Sequence, residues 1–170
     1  RRLRLGRETI ATRHPRLCVV SIVGHRSPDA DRAGHDLTYQ AEAGLVTPPL
    51  LPITIFSDVA TAMDAVSAAL ASLVRRSRTG AGGWSEVSLL DAARALAEPL
   101  QHGLTAPGGV LGGAFPGYAL YEASDGWVAV AALEPHFWAR FLHAVAPDAP
   151  NEDAIGERMR DHSVEHWVAV

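Results

Sequence analysis

Lysine is absent from this sequence: all 15 basic residues are arginine, a bias from which no function follows. They face 19 acidic residues, and the resulting net charge of -4 excludes a general nucleic-acid binder, because the basic clusters Arg1 to Arg7 and Arg75 to Arg78 are short and far apart. Cysteine is almost absent too. Cys18 stands alone, which excludes a small disulfide scaffold, and within Leu17-Cys18-Val19-Val20 it reads as a buried reduced thiol suited to a reducing cytoplasm. No uninterrupted apolar run approaches the ~18 to 20 residues of a membrane span, and no apolar segment follows Arg1-Arg2-Leu3-Arg4. Neither an anchor nor a signal peptide is expected, and neither is a membrane partner. The chain opens at Arg1 without a Met and stops in Trp167-Val168-Ala169-Val170, so a fragment is expected.

What is present suits a folded chain. At 170 residues and 48% hydrophobic composition, about 70% of the unfolded surface can be buried without staples. Arg16 to Gly24 reads as a buried strand of a parallel sheet, being nearly all apolar between Pro15 and Gly24. Asp36 to Leu45 reads as a short helix. The clearest element is a helix capped by Ser57 or Asp58, with Ala62, Ala65, Ala69, Leu70 and Leu73 at helical spacing, arginines in its last turn and Gly80 as its stop. Trp84 to Leu89 is a strand, and Leu90 to Leu100 a helix that breaks at Pro99. Residues 103–117 carry six Gly and two Pro and read as a linker between domains 1–102 and 118–170. Tyr118 to Glu122 and Trp127 to Ala132 flank Ser124-Asp125-Gly126 as a hairpin. Glu134-Pro135 opens a helix whose apolar face is Phe137, Trp138, Phe141, Leu142 and Val145. The tail from Asn151 reads as one or two polar helices.

Few residues carry a recognisable chemistry. HExxH, paired-Cys, GxSxG, GxGxxG and P-loop spacings are all missing, and His162 with His166 is only an i, i+4 pair, so no metal site is expected. Three places remain, each at the start or end of an element, where site residues concentrate. They are Gly34-His35-Asp36, Ser57-Asp58 and Leu133-Glu134-Pro135. Each has a structural reading: Asp58 as a helix cap, His35 as a polar contact to Asp36 or nearby backbone, Glu134 as a first-turn acid. Phe115, Trp127 and Phe137 read as core.

Several longer stretches narrow the choice. Asp31-Arg32-Ala33-Gly34-His35-Asp36-Leu37-Thr38-Tyr39-Gln40, then Arg78-Thr79-Gly80-Ala81-Gly82 before Val87-Ser88-Leu89-Leu90-Asp91, then Tyr121 to Val130 followed by Leu133-Glu134-Pro135-His136-Phe137-Trp138, resemble the family III CoA-transferases and their alpha-methylacyl-CoA racemase branch. Order and spacing agree over most of the chain, and only the central portion of the family pattern is represented. The resemblance implies an α/β fold: part of a Rossmann-like large domain in 1–102, and an incomplete small α+β domain in 118–170. It further implies an interlocked homodimer, or another chain that supplies the missing N-terminal half.

The same resemblance implies roles. Asp58 matches the family's central carboxylate, a nucleophile toward acyl-CoA in transferases and a proton-transfer group in racemases. His35 matches the racemases' other proton-transfer residue, and Glu134 the acid that orients it. The implied substrate is a coenzyme A thioester, with no prosthetic group, and Glu134-Pro135 leans toward racemase-like α-proton transfer. CoA transfer to a carboxylic acid through an Asp58 intermediate is the alternative, and a truncated, non-catalytic remnant or dimerisation module a third. This chain has Ser57, Val59, Ala60 and Thr61 where the family has glycines, and Ala81 where it has a basic residue. Each Cβ is expected to narrow the pocket, and no phosphate contact is expected at Ala81.

Overall fold

A computed structural model of the chain describes residues 5–146 and 152–170. Two compact units emerge, Arg1–Glu98 and Pro99–Val170. The first contains α1 (Arg7–Arg13), β1 (Cys18–Val23), α2 (Asp36–Ala43), α3 (Phe56–Thr79), β2 (Gly83–Ser88) and most of α4 (Leu89–Gln101). β1 and β2 form a two-stranded parallel sheet, in register from Cys18 opposite Gly83 to Val23 opposite Ser88. A parallel pair needs a long crossover, and α3 supplies it while packing on both strands. Gly80, at φ 73°, ends α3 as expected, its N–H returning to Arg76 O at 2.8 Å.

The core of this unit sets three alanines between two larger side chains. Tyr39 and Ala43 of α2 meet Leu90, Ala93 and Ala97 of α4, with Leu45 and Leu89 at the margin. Pro99 does not break α4, which runs on to Gln101. Only the Pro99 N–H is missing there, and the Pro99 carbonyl is taken by Leu104 N at 2.8 Å, so the last turn stays hydrogen-bonded. Cys18 is half-buried rather than fully enclosed, and its thiol donates to Ser72 O at 3.5 Å.

Helical spacing left open which face of α3 is buried. Leu70 and Leu73 are exposed, together with Val59, Met63, Val66 and Val74, while the buried positions are Ser57, Thr61 and Ser72. Small side chains let the helix backbone lie close to the strands, and hydroxyls find partners there: Thr61 donates to Ser57 O at 2.7 Å, and Ser72 Oγ lies 3.2 Å from Ser85 Oγ. The apolar stripe is left on the opposite face. By length and composition alone α3 is apolar enough to cross a membrane, because its alanines raise the mean although no uninterrupted apolar run exists.

In the second unit, residues 103–117 fold back on themselves. Leu111 N bonds Leu104 O at 2.9 Å and Ala114 N bonds Gly109 O at 3.0 Å, around a π-type turn at Val110–Ala114. β3 (Tyr118–Ala123) and β4 (Gly126–Ala131) form the antiparallel hairpin, closed by Ala123 opposite Gly126. α5 (Pro135–Val145), α6 (Glu152–Met159) and α7 (Val164–Ala169) follow. Tyr121, Val145, Ala146, Ile155 and Met159 form the core, flanked by Trp138, Phe141, Leu142 and Trp167. The tail is therefore not merely polar: Ile155 and Met159, each 1% exposed, are among its anchors. Asn151 itself lies outside the described residues. Trp127 and Phe137, expected in the core, are 65% and 45% exposed. Their positions fall on the outward side of β4 and at the first turn of α5, where no described element covers them.

Candidate active site

The site begins where β1 ends. Gly24 O accepts both Leu90 N and Ser88 Oγ at 3.1 Å, tying the strand to the start of α4. The loop that follows closes over Tyr39. A Cβ on Gly34 would lie 2.7 Å from the Tyr39 ring, so the chain can approach the phenol only as glycine and enters α2 directly beyond it. His25, 4% exposed, meets Tyr39 edge-on at 5.2 Å, and its Nε2 lies 3.5 Å from Glu42 Oε2. Its Nδ1 has no partner among the described residues.

Glu42 collects charge around itself, with Arg32 at 2.9 Å and Arg94 at 3.7 Å. Desolvation pushes the Glu42 carboxyl up, but hydrogen bonds from His25 and Arg32, and their charges, outweigh it and hold the group below its ordinary range. Arg26 pairs with Asp91 and reaches Glu86 O at 3.3 Å. Its hydrogen bond to Asp91 raises the guanidinium's proton affinity despite desolvation. The loop from Gly24 to His35 is thus pinned on both sides of Tyr39.

His35 is the N-cap of α2, extended at φ -137° and ψ 170°, and its N–H donates to Thr38 Oγ1 at 3.0 Å. Asp36, the first helical residue, reaches across to α3. Its Oδ1 accepts the Asp58 N–H at 3.1 Å, and its Oδ2 accepts from Gln40 Nε2, which also donates to Thr54 O at 3.0 Å. On the other side Ser57 Oγ donates to Leu89 O at 2.6 Å. The first turn of α3 is held from two directions.

This geometry corrects the cap assignment. α3 starts at Phe56, its N-cap is Ile55 with no side-chain cap, and Asp58 lies inside the first turn. The cap comes from Asp36, a carboxylate of another helix that satisfies the Asp58 N–H. The Asp58 carboxylate is therefore not occupied in capping. It is exposed, with no hydrogen-bond or ion-pair partner among the described residues. His35 and Asp58 stand at neighbouring helix N-termini, joined through Asp36. Glu134 belongs to the second unit, where it is the exposed N-cap of α5 and makes no side-chain cap bond. No group of three potential ligands for a metal ion occurs among the described residues. His162 and His166 stack on each other at 4.0 Å and lie against Trp167.

Residues 1–168 match the profile of CoA-transferase family III. The chain belongs to this family. It is 24% identical to the probable fatty acyl-CoA transferase Rv3272 of Mycobacterium tuberculosis, over 97% of this chain and 48% of that protein. The crystal structure of Rv3272 superposes with a TM-score of 0.81 at 20% identity, covering 97% of this chain and 54% of that one. A CAIB/BAIF family protein from Brucella suis superposes at 0.71 with 23% identity, covering 97% and 52%. These likenesses show a shared fold, and the chain spans about half the length of the relatives it matches. Within this family III chain, sequence reasoning placed Asp36 beside His35 without its link to α3, and it missed Gln40 and Thr54. An Asp and a Gln at i, i+4 on a helix were the available signal for the Asp36–Gln40 contact. Nothing local marked Thr54, which contributes only a carbonyl.

Proposed function

We propose that this chain forms part of an enzyme acting on acyl-CoA thioesters, with Asp58 and His35 as its proton-transfer pair. The observation that carries this reading is the Asp36–Asp58 hydrogen bond, which joins the two helix N-termini bearing these side chains and leaves the Asp58 carboxylate unengaged. Inversion at an α-carbon needs a base on one face and an acid on the other, and carboxylate and imidazole supply both. One group takes the α-proton of the thioester, the enolate forms, and the other returns a proton to the opposite face. The family resemblance assigns a supporting role in this chemistry to Glu134, whose side chain is not used in capping α5. The substrate is a coenzyme A thioester of a branched acid, and no prosthetic group takes part.

A second reading is CoA transfer. The name of the Mycobacterium tuberculosis relative supports it, with a fatty acyl-CoA as donor, and so does an exposed, unpartnered Asp58. Here the carboxylate attacks the thioester carbonyl, the CoA thiolate leaves, and a mixed anhydride remains on Asp58. In either case the two-stranded parallel sheet and the exposed apolar face of α3 support a large Rossmann-like domain completed by further chain or by a second copy. The half-buried thiol of Cys18 suits a reducing, cytoplasmic location.

The test is incubation with a 2-methylacyl-CoA in D2O, following α-proton exchange by NMR beside Asp58→Asn. Exchange that is lost in the variant establishes proton transfer. Hydroxylamine trapping of Asp58 without exchange assigns transfer instead. A folded chain that binds no CoA and shows neither is the non-catalytic remnant.

A further inference from the structure

We propose that Gln40 is a positioning residue for Asp58, acting through the Asp36 carboxylate and the Thr54 carbonyl. The proposal rests on the reading of Asp58 given above. Gln40 is 0% exposed, and its amide nitrogen donates to two acceptors from different segments: Asp36 Oδ2, one turn earlier on α2, and Thr54 O, in the loop two residues before α3 begins. Asp36 hands this constraint on, because its other oxygen accepts the Asp58 N–H at 3.1 Å. One buried amide therefore sets both the approach of the chain into α3 and the carboxylate that caps Asp58.

The orientation of the amide is decided by its surroundings. Turned over, Oε1 would face a carboxylate and a carbonyl, two acceptors with no proton between them. With Nε2 placed there, Oε1 is left buried without a partner among the described residues. A fully buried side chain with half of its amide unpaired is a poor choice for core packing, since an apolar residue of similar shape would leave nothing unsatisfied. What only the amide does is hold Asp36 and Thr54 at fixed separation. Through them, the start of α3 that bears Asp58 is tied to the start of α2 that bears His35, whose backbone adjoins Asp36 and is fixed by Thr38.

Gln40→Met keeps the length of the side chain and removes both donors. In the folded variant the Asp58 amide signal is expected to move in a 15N–1H spectrum, and its hydrogen exchange to quicken about tenfold, the loss of one charge-assisted bond. The rate of Asp58-dependent exchange or trapping is expected to fall about tenfold with the KM for acyl-CoA little changed. Asp36→Ala should cause the same changes, and the double variant should be no worse than Asp36→Ala alone. An Asp58 amide with unchanged shift and protection in Gln40→Met overturns the proposal, as does full additivity in the double variant. If Gln40→Met does not fold, Asp36→Asn carries the test: its single carbonyl oxygen cannot replace both carboxylate oxygens that accept from Gln40 Nε2 and the Asp58 N–H, so the Asp58 signal should shift, and no shift overturns the proposal. The reading of Asp58 itself fails separately, when Asp58→Asn retains full activity while these amide effects are still seen.

Discussion

α5 and α3 are both amphipathic, and they use their apolar faces in opposite ways. In α5 the stripe of Trp138, Phe141, Leu142 and Val145 packs against Tyr121, Ile155 and Met159, so the larger side chains build the core. In α3 the larger side chains look outward, and the buried positions are Ser57, Thr61 and Ser72. The difference follows from what each helix meets. α5 packs beside α6, where long side chains interdigitate, whereas α3 must span a parallel crossover close to β1 and β2, where small residues and hydroxyl bonds allow a short approach. The lesson is that periodicity finds a helix without saying which of two plausible faces is inside.

That contrast can be broken experimentally, beginning with the most costly change. Ile155→Ala, at a position 1% exposed, is expected to lower stability by about 2 to 5 kcal/mol, through lost burial and a cavity, as read by denaturant melts. A loss below about 1 kcal/mol would mean that the second unit is not organised around α6. Ser57→Ala in α3 should cost about 1 to 3 kcal/mol, because Leu89 O loses the donor it now has at 2.6 Å. If that variant is neutral, the Ser57 hydroxyl is not what ties the first turn of α3 to the start of α4.

Acid should distinguish the two units. The folded-state pKa of Glu42 is depressed, so its contribution is present above the ordinary glutamate pKa of about 4.3 and is lost as pH falls through the lower folded value. Glu42→Gln should flatten the acid limb of the stability profile of the first unit and leave that of the second unchanged. An unaltered limb would show that the His25, Arg32 and Arg94 cluster is energetically idle. The smallest effect is expected from Leu70→Ala, at 59% exposure, within about 0.5 kcal/mol on the isolated chain. A loss matching that of Ile155→Ala would show that the α3 face is covered in solution, and sedimentation of the same variant would reveal whether a second copy covers it.

The legible parts of the fold are those made by neighbours in sequence. Ser124 and Asp125 turn the hairpin because the flanking strands alternate on either side of them, and Pro135 starts α5 because its fixed φ suits the first helical position. Gly80 ends α3 in a left-handed conformation that disfavours a Cβ. The resemblance of Gly34-His35-Asp36 and Leu133-Glu134-Pro135 to family motifs was likewise legible, since such motifs are short and contiguous.

Sequence alone therefore determined most element types from β1 onward, most of their limits and the family, all of which depend on local spacing and on residues close together in the chain, whereas α1 and the turn at Val110–Ala114 gave no such signal. Only tertiary structure decided which face of α3 turns inward, since small and large side chains recur there with the same period. Only it decided that Asp58 is capped by a carboxylate 22 positions away and that Gln40 reaches Thr54. Such contacts depend on where two helices and a loop come to rest, and neither propensity nor periodicity carries that information.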